Sequence, residues 1–272
     1  MLTVETDLAP LAQNVAIIAA EAGVAAMEHY IKADGVVMTK EDSSPLTLAD
    51  LASHNLIIER LGELTPDIPI LSEESGDEIA YEMRKGWNRF WLVDPLDGTK
   101  EFIKRNGEFT VNIALMEKGR PVLGAVDAPA LGKSYHAWKG GGAYRSIGGG
   151  APVRIHVADY RDQRLKVVAS RSHQTPELKE FLDKLGECDI VSSGSSLKLM
   201  MVAEGSAHLY PRIGYTMEWD TAAAQVVVEE AGGEVTDLEG HHLGYNKESL
   251  RNPFFMVSGN PVYPWHGLVE GI

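Results

Sequence analysis

The chain has 272 residues, 44% of them hydrophobic and 24% charged, which is an ordinary composition for a globular protein. A chain of this length can form one large domain or two smaller ones that share a core. Its formal net charge of −14 argues against a nucleic-acid polymer as a partner, and an anionic substrate would need bound cations to reverse the local field.

Cysteine use and the N-terminal residues indicate the compartment. Cys188 is the single cysteine, so no internal disulfide can form and a reducing compartment is favoured. We expect its side chain to pack as a small apolar group. Glu5 and Asp7 precede the first apolar run without a basic leader, so we expect no secretory signal. We also expect no uninterrupted apolar segment long enough to span a bilayer. The cytoplasm is therefore the expected location.

Two helices are predicted at the start of the chain. The first covers residues from about 8 to 31, where apolar residues recur at helical spacing at Leu11, Val15, Ile18 and Ala22. The polar loop at residues 40–45 is of a kind that often carries function when it borders a site. Thr47-Leu48-Ala49-Asp50 then has the pattern of a capping box, which predicts a second helix to about residue 61. Asp50 can therefore be a helix cap or a catalytic residue, and the residues alone favour neither.

Two apolar strands each end in acidic residues. The strand predicted over residues 68–71 leads into Ser72-Glu73-Glu74-Ser75, where one glutamate can be solvated while the other binds a metal ion. The strand predicted over residues 90–93 ends in Asp94-Pro95-Leu96-Asp97-Gly98-Thr99. Its two carboxylates would repel each other unless a cation lay between them, and Mg²⁺ and Ca²⁺ prefer oxygen ligands such as these. The Leu96 carbonyl and the Thr99 hydroxyl offer further oxygens, and an acidic surface turn is the alternative interpretation.

The rest of the first half is predicted to be a charged surface loop or lid over residues 76–88 and then an antiparallel sheet. Strands at 110–116 and 122–126 are joined by Glu117-Lys118-Gly119-Arg120-Pro121, which is a hairpin signal, and another strand is expected at 134–138. The glycines at 148–150 mark a boundary. We therefore predict an N-terminal α+β half over residues 1–150, with most metal ligands, and a C-terminal α/β half over residues 151–272, with substrate-binding loops.

The C-terminal half alternates predicted strands and helices. Helices are expected after Thr175-Pro176 and over residues 197–203 and 221–231, and strands at 167–169, 189–191, 207–210, 234–236 and 255–257. The loop at residues 192–196 can offer free amides to an anion beside Lys198, or it can be an ordinary serine cap with an exposed lysine. Asp220 is expected at a helix N-cap, which alone would explain it. Arg212 can bind a phosphate or form a surface salt bridge.

Three segments together resemble the metal-binding signature of the inositol monophosphatase superfamily, a group of Mg²⁺-dependent, lithium-sensitive phosphatases. They are Asp94-Pro95-Leu96-Asp97-Gly98-Thr99, Ser72-Glu73-Glu74-Ser75 and Trp219-Asp220-Thr221-Ala222-Ala223. The resemblance covers nearly the whole chain and implies an α/β (α+β) fold layered as an αβαβα sandwich. Further stretches resemble the bacterial 3′(2′),5′-bisphosphate nucleotidase branch, at residues 107–112, 170–173, 194–198, 202–205 and 210–212.

The resemblance also implies roles for individual residues. Two or three Mg²⁺ ions would be held by the metal ligands Glu73, Asp94, Leu96 (through its carbonyl), Asp97 and Asp220. The attacking water would be activated with the help of the catalytic residues Asp50, Thr99 and Glu73. Glu74 would support the metal ligands from behind. The substrate would be bound by Gly98, Thr99, His173, Ser195, Lys198, Arg212 and Asp220.

The implied reaction is hydrolysis of the 3′-phosphate of adenosine 3′,5′-bisphosphate to AMP and phosphate, in sulfur assimilation or nucleotide recycling. Lys198 and Arg212 favour this substrate, because its second phosphate needs cations away from the metal ions and a neutral polyol phosphate does not. Inositol monophosphatase or fructose-1,6-bisphosphatase activity is the alternative. A non-catalytic nucleotide-binding regulator is a third reading, against which the intact set of acids argues.

The resemblance raises further properties that the residues themselves do not settle. Inhibition by lithium is expected. Peripheral association with the cytoplasmic face of the inner membrane and assembly into a homodimer are left open. So is the ranking of the 3′,5′-bisphosphate against a 2′,5′-bisphosphate or a phosphosulfate substrate.

Overall fold

Helices and strands alternate along the chain in a computed structural model that describes residues 7–32, 38–39, 45–161, 164–169 and 175–271. The helices are α1 (Leu8–Lys32), α2 (Leu48–Leu64), α3 (Tyr81–Arg84), α4 (Thr99–Ile103), α5 (Pro176–Leu185), α6 (Leu197–Ala203) and α7 (Glu218–Glu230). The strands are β1 (Met38–Thr39), β2 (Pro45–Leu46), β3 (Ile70–Ser72), β4 (Arg89–Asp97), β5 (Thr110–Glu117), β6 (Arg120–Ala128), β7 (Lys133–Trp138), β8 (Gly142–Ile147), β9 (Val153–Ile155), β10 (Lys166–Ala169), β11 (Asp189–Ser192), β12 (Leu209–Arg212), β13 (Glu234–Asp237) and β14 (Phe255–Ser258). Short 3₁₀ turns lie at Glu73–Glu78, Pro129–Leu131 and His266–Leu268.

Two sheets contain twelve of these strands, while β1 and β2 pair only with each other. The larger sheet has the order β3-β4-β5-β6-β7-β8-β9, with β3 parallel to β4 and every other pair antiparallel. The smaller sheet has the order β11-β10-β12-β14-β13, in which β10 is parallel to β11 and β12. The predicted hairpin between β5 and β6 and the antiparallel first half are therefore confirmed.

The larger sheet is apolar on both faces. Successive side chains of its central strands point to opposite faces, and both sets are buried. In β4, Trp91 and Val93 pack with α1 and α2 on one face, while Phe90 and Leu92 face α7 on the other. A sheet of this kind needs a helical layer on each side to keep both faces from water. The continuous apolar run at residues 90–93 is the sequence signature of such a doubly covered strand.

Five layers result from this packing. Helices α1 and α2 cover the larger sheet, and α6 and α7 lie between the two sheets, where Val227 contacts a core that includes Phe90 and Val257. Phe181 of α5 packs on the outer face of the smaller sheet. The order helix, sheet, helix, sheet, helix confirms the predicted αβαβα sandwich. The division of the chain after residue 150 stays a prediction; the larger sheet ends at Ile155 and the smaller one begins at Lys166.

Helix α1 differs from the expectation that no segment is long enough to span a bilayer. By length and apolar composition alone, Leu8–Lys32 would be able to cross a membrane. Within this structure, however, Leu11, Val15 and Ile18 are buried against α2 and the larger sheet. The apolar side chains of α1 thus form part of the protein core.

The structure corrects the predicted loop at residues 76–88 and the predicted start of α7, and it confirms the predicted packing of Cys188. The segment at residues 76–88 contains the short helix α3, whose buried Arg84 donates to the carbonyls of Lys247 and Glu248, so it is anchored at that point rather than free as a lid. Helix α7 begins at Glu218 instead of residue 221, which makes Asp220 the third helical residue and not the N-cap. Cys188 packs against an apolar cluster, as expected.

Candidate active site

Three acidic side chains from the two halves of the chain meet where β4 ends. The carboxylates of Asp94, Asp97 and Asp220 each place an oxygen within 4.8 Å of the others. Asp220 reaches this point from the first turn of α7, which packs across β4 and β5. Glu73 follows β3, the parallel neighbour of β4, and its side chain is within hydrogen-bonding reach of Asp94. All four predicted carboxylate ligands are therefore brought together.

A β-bulge turns Asp94 and Asp97 to the same side of the sheet. Asp94 pairs with Asn112 and Asp97 with Thr110, so β4 has one residue more than β5 between the two pairs. Residues three apart in a regular strand would face opposite sides, and the extra residue restores a common face. The amide of Leu96 donates to Asp94 Oδ1 at 3.1 Å, and Ser53 Oγ donates to the Pro95 carbonyl at 2.7 Å, which stabilises the bulge.

The gathered carboxylates are electrostatically costly without a cation. Burial raises the pKa of Asp94 well above its usual range, and the charges of Glu73, Asp97 and Asp220 raise that pKa further. Burial also raises the pKa of Asp220, followed by the effect of Asp97, while the Met217 amide acts in the opposite direction. A cluster of oxygen ligands with excess negative charge fits a hard divalent cation.

Asp50 forms the helix cap that its position in the sequence allowed, and it also lies near Thr99. Its Oδ2 accepts hydrogen bonds from the backbone amide and the hydroxyl of Thr47, at 2.8 and 2.5 Å, which completes the predicted capping box. Its Oδ1 lies 3.4 Å from the hydroxyl of Thr99, at the start of α4. The cap is thus confirmed, and the catalytic role of Asp50 stays a prediction.

A cavity of about 340 Å³ adjoins the carboxylates and spans both halves of the chain. It is lined by Asp97, Gly98, Glu101, Lys104, Asn106, Glu108, Ser193, Gly194, Ser195, Ser196, Lys198, Leu199, Tyr210, Arg212, Thr216, Asp220, Thr221 and Phe255. The predicted substrate residues Gly98, Ser195, Lys198, Arg212 and Asp220 are all in this wall. His173 lies outside the described residues.

The two cations of the second half line this cavity. Lys198 is only 8% exposed, which excludes the exposed lysine of the alternative reading; burial lowers its pKa to about 8, against the opposing effect of Asp97. Its Nζ donates to the Ser195 carbonyl at 2.7 Å. Arg212 donates from Nη2 to the Tyr215 carbonyl, and its buried Nε has no hydrogen-bond partner among the described residues. No salt bridge to Arg212 occurs in that part of the chain either.

The loop before α6 differs from the predicted anion cradle. The amide of Ser196 donates to Asp97 Oδ2 at 2.6 Å, so it binds an acid of the protein. Ser196 is the N-cap of α6, but its hydroxyl donates to Asn112 Oδ1 and accepts no hydrogen bond from a helix amide. The simple serine cap is therefore wrong. The loop is fixed by the acidic half of the site.

Several lining residues were not singled out from the sequence. Glu108 is part of the stretch at residues 107–112 on which the resemblance rests, whereas Glu101, Lys104 and Asn106 lie in and after α4, directly downstream of the acidic turn. Their proximity along the chain to Asp97 and Gly98 is the one signal that could have identified them. Glu74, half-buried in the 3₁₀ turn beside Glu73, stays a predicted supporting residue, as the Leu96 carbonyl stays a predicted ligand.

Comparisons with known proteins agree on one family. A model of the inositol monophosphatase family matches residues 7–263. The 3′(2′),5′-bisphosphate nucleotidase CysQ of Salmonella typhimurium is 51% identical over 248 residues, covering 90% of this chain and 98% of that protein. The enzyme of the same name from Escherichia coli (strain K12) is 50% identical over 250 residues, with the same coverage of both chains. The crystal structure of CysQ from Bacteroides thetaiotaomicron, titled a bacterial member of the inositol monophosphatase family, superimposes with a TM-score of 0.81 at 42% identity and covers 93% of this chain and 99% of that one.

Proposed function

The chain belongs to the inositol monophosphatase family, and from this premise we propose that it is a 3′(2′),5′-bisphosphate nucleotidase. The reaction proposed is hydrolysis of the 3′-phosphate of adenosine 3′,5′-bisphosphate to AMP and phosphate. One observation carries the proposal: the acidic cluster of Asp94, Asp97 and Asp220 opens onto a cavity that also holds Lys198 and Arg212. Such a site can bind one phosphate with metal ions and a second phosphate with side-chain cations.

The acidic cluster suits Mg²⁺ by its donor chemistry. Asp94, Asp97 and Asp220 offer carboxylate oxygens that lie within 4.8 Å of one another, which is the kind of ligand set that Mg²⁺ prefers. We assign two or three Mg²⁺ ions to these residues, to Glu73 and to the Leu96 carbonyl. Bound Mg²⁺ would supply Lewis-acid chemistry, lowering the pKa of a water molecule and offsetting the charge of the phosphate.

The protein's own proton acceptor in this scheme is the Thr99–Asp50 pair. The Thr99 hydroxyl donates to Asp50 Oδ1 across 3.4 Å. In the reaction, Thr99 Oγ1 would accept a proton from the attacking water and donate its own to Asp50, a general-base arrangement that needs hydrogen-bond contact between the groups. Glu73 would assist at the water, and no covalent phosphoenzyme is required.

The second phosphate and the nucleoside would be bound by the other half. Lys198 and Arg212 would bind the phosphate that is not cleaved, because both line the cavity that adjoins Asp97 and Asp220. A guanidinium can bind a phosphate through two parallel hydrogen bonds. Gly98, Ser195 and His173 complete the proposed binding set. A homodimer or an association with the inner membrane is not part of this proposal, which places the enzyme in the cytoplasm.

A substrate panel tests the proposal. Phosphate release would be measured with Mg²⁺ from adenosine 3′,5′-bisphosphate, inositol 1-phosphate and fructose 1,6-bisphosphate, with adenosine 3′-phosphate as a matched substrate that lacks the second phosphate. We expect kcat/KM to be highest for the bisphosphate nucleotide. A preference for either sugar-type substrate would overturn the assignment. Tight nucleotide binding without turnover of any substrate would instead support a non-catalytic regulator.

A further inference from the structure

A buried group of hydroxyls lies directly behind Asp97 and joins the two halves of the site. Thr110 on β5 is 0% exposed, and its Oγ1 lies 2.5 Å from Ser195 Oγ and 2.8 Å from Ser196 Oγ. Ser195 donates in turn to Asp97 Oδ2 at 2.6 Å, and Ser196 donates to Asn112 Oδ1 at 2.9 Å. The Thr110 hydroxyl therefore contacts the two residues that bind the Asp97 carboxylate, while the backbone of Thr110 is the strand partner of Asp97.

Counting protons gives Thr110 a single role in this group. A carboxylate and an amide oxygen only accept hydrogen bonds, so the hydroxyl protons of Ser195 and Ser196 are committed to Asp97 and Asn112. The one proton left for the contacts between hydroxyls belongs to Thr110. That single proton is donated to Ser195 Oγ, the nearer contact at 2.5 Å, with Ser196 Oγ at 2.8 Å and Asn112 Oδ1 at 3.4 Å as more distant acceptors. The Thr110 hydroxyl thus keeps the Ser195 proton directed to Asp97. Without it, both serine oxygens would face an apolar group in a buried site, at a cost in free energy.

The serine loop also needs this support because of its backbone. Ser195 has a φ of 55°, in the left-handed region that is unfavourable for a residue with a side chain. The preceding Gly194 packs so closely that a Cβ there would lie 2.7 Å from the carbonyl oxygen of Glu108. The loop is therefore held tightly on the β5 side of the site, and the Thr110 hydroxyl is the polar contact that β5 makes with both serines.

The result is a defined orientation of Asp97. The Ser195 hydroxyl and the Ser196 amide both bind Oδ2, and among the described residues no donor binds Oδ1. With Oδ2 held by these two donors, Oδ1 is the Asp97 oxygen left to bind a cation. Partners that orient a metal ligand commonly change metal affinity when they are removed.

We propose that Thr110 is a positioning residue for the metal site, acting through Ser195 and Ser196 on Asp97. The inference rests on the proposed function, in which Asp97 is a Mg²⁺ ligand. It adds that the substrate loop of the second half is part of the structure that sets Mg²⁺ affinity. Mg²⁺ binding to the enzyme without substrate should then depend on a hydroxyl that contacts neither metal nor substrate.

The test is calorimetric titration of Mg²⁺ into metal-free protein, with no substrate present. Thr110→Val keeps the shape of the side chain and removes the hydroxyl, and we expect its Mg²⁺ dissociation constant to rise about tenfold. Thr110→Ser keeps the donor and should stay within about threefold of the parent protein. Thr236→Val is the matched control, because Thr236 on β13 is also buried but its hydroxyl has no hydrogen-bond partner among the described residues.

A second variant changes the serine loop instead of β5, so that the inference does not depend on substitutions in the sheet alone. Ser195→Ala removes the Asp97 donor from the loop side, and a loss of Mg²⁺ affinity is expected there too. The double variant with Thr110→Val should lose little more than Ser195→Ala alone, because the two residues act in one chain. Parent-like Mg²⁺ affinity in Thr110→Val, or equal losses in Thr110→Val and Thr110→Ser, would overturn the inference. Failure of the parent protein to bind Mg²⁺ would instead contradict the proposed function.

Discussion

Burial of the Asp94 carboxylate destabilises the metal-free protein, and the same carboxylate is a proposed ligand of the metal ion. It is 1% exposed, and its burial together with three neighbouring acids raises its pKa. An ionised carboxylate at this position lowers the free energy of unfolding of the metal-free protein, since the unfolded chain would ionise it in water at no such cost. A bound cation would offset the unfavourable burial of this charge, whereas an ordinary buried acid has no such partner.

Replacing Asp94 with asparagine is expected to separate these two effects. Turnover should fall by more than about a hundredfold, because even outer partners of metal ligands typically cost ten- to a hundredfold. In EDTA, the free energy of unfolding should rise, because the variant keeps an oxygen for the Leu96 amide but removes the buried charge. Steady-state kinetics and urea unfolding measure the two quantities.

The other carboxylate cluster of the described chain supplies the control. Asp237 accepts hydrogen bonds from the amides of Glu239 and His241, so its role in that turn is already explained. Asp237→Asn should leave turnover unchanged. Normal turnover in Asp94→Asn would reject Asp94 as an essential ligand.

Asp127 offers a pH-dependent prediction away from the site. It lies on β6 against α1, where a Cβ on Gly23 would come within 2.4 Å of its Oδ2, and burial raises its pKa to about 7. The folded protein then holds this proton up to about pH 7, while the unfolded chain releases it near its ordinary value. The free energy of unfolding should therefore fall as pH rises from about 4 to 7, by about 2–4 kcal/mol from this group.

Asp127→Asn should remove that contribution and make the protein more stable than the parent at pH 8. Urea unfolding of both proteins at pH 5 and pH 8 measures it. Other groups titrate in the same range, so the quantity that matters is the difference between the two slopes. Identical pH dependence in parent and variant would show that Asp127 ionises normally in the folded state.

At the scale of elements, the close approach of β6 and α7 decides where Asp220 lies. A Cβ on Gly124 would lie 2.2 Å from the carbonyl oxygen of Ala223, which is backbone and cannot turn aside. Gly124→Ala should therefore push α7 from the sheet and destabilise the protein by about 1–3 kcal/mol. Because Asp220 is on the same helix, Mg²⁺ affinity should fall as well.

Gly62 provides a comparison for this variant. It lies in α2, and a Cβ there would meet nothing within 4 Å. Gly62→Ala should be neutral or stabilise the protein by up to about 1 kcal/mol, because alanine is the better helix former. Thermal unfolding and Mg²⁺ titration measure both variants. Equal effects of the two substitutions would contradict the role assigned to the contact of Gly124 with α7.

The sequence predicted helices and strands correctly where the residues that determine them are neighbours along the chain. The capping box of Thr47 and Asp50 and the strand that ends at Asp94 could both be recognised from neighbouring residues. The start of α7 could not, because its N-cap is Met217, whose backbone amide donates to Asp220 Oδ2 three residues later. A methionine gives no N-cap signal, so the helix was predicted to begin too late.

The contacts that orient the site were beyond the reach of sequence patterns. Thr110 and Ser195 are 85 residues apart, and a serine or threonine in a strand or loop is common in any protein. The five-layer fold and the four acids could be expected from the three matched motifs. The bulge that turns Asp94 and Asp97 to one face could not, since it depends on the register of β4 with β5.

At the scale of the whole molecule, the net charge of −14 makes cations stabilising in two different ways. Any salt screens the repulsion between distant surface charges, whereas a bound ion stabilises only the folded state that contains its site. At a Mg²⁺ concentration one hundred times its dissociation constant, site binding alone would add about 2.7 kcal/mol to the free energy of unfolding. Specific binding should therefore exceed screening by a measurable amount.

Unfolding midpoints in Mg²⁺ and in NaCl of equal ionic strength would separate the two contributions. We expect Mg²⁺ to raise the midpoint well beyond NaCl in the parent protein, and EDTA to abolish that excess. Asp94→Asn should show only the NaCl-like increase, because it retains most of the surface charge and loses one proposed ligand. An equal increase from both salts in the parent would mean that the acidic cluster binds no Mg²⁺ ion in the folded protein, and the proposed catalysis would then lack its cofactor.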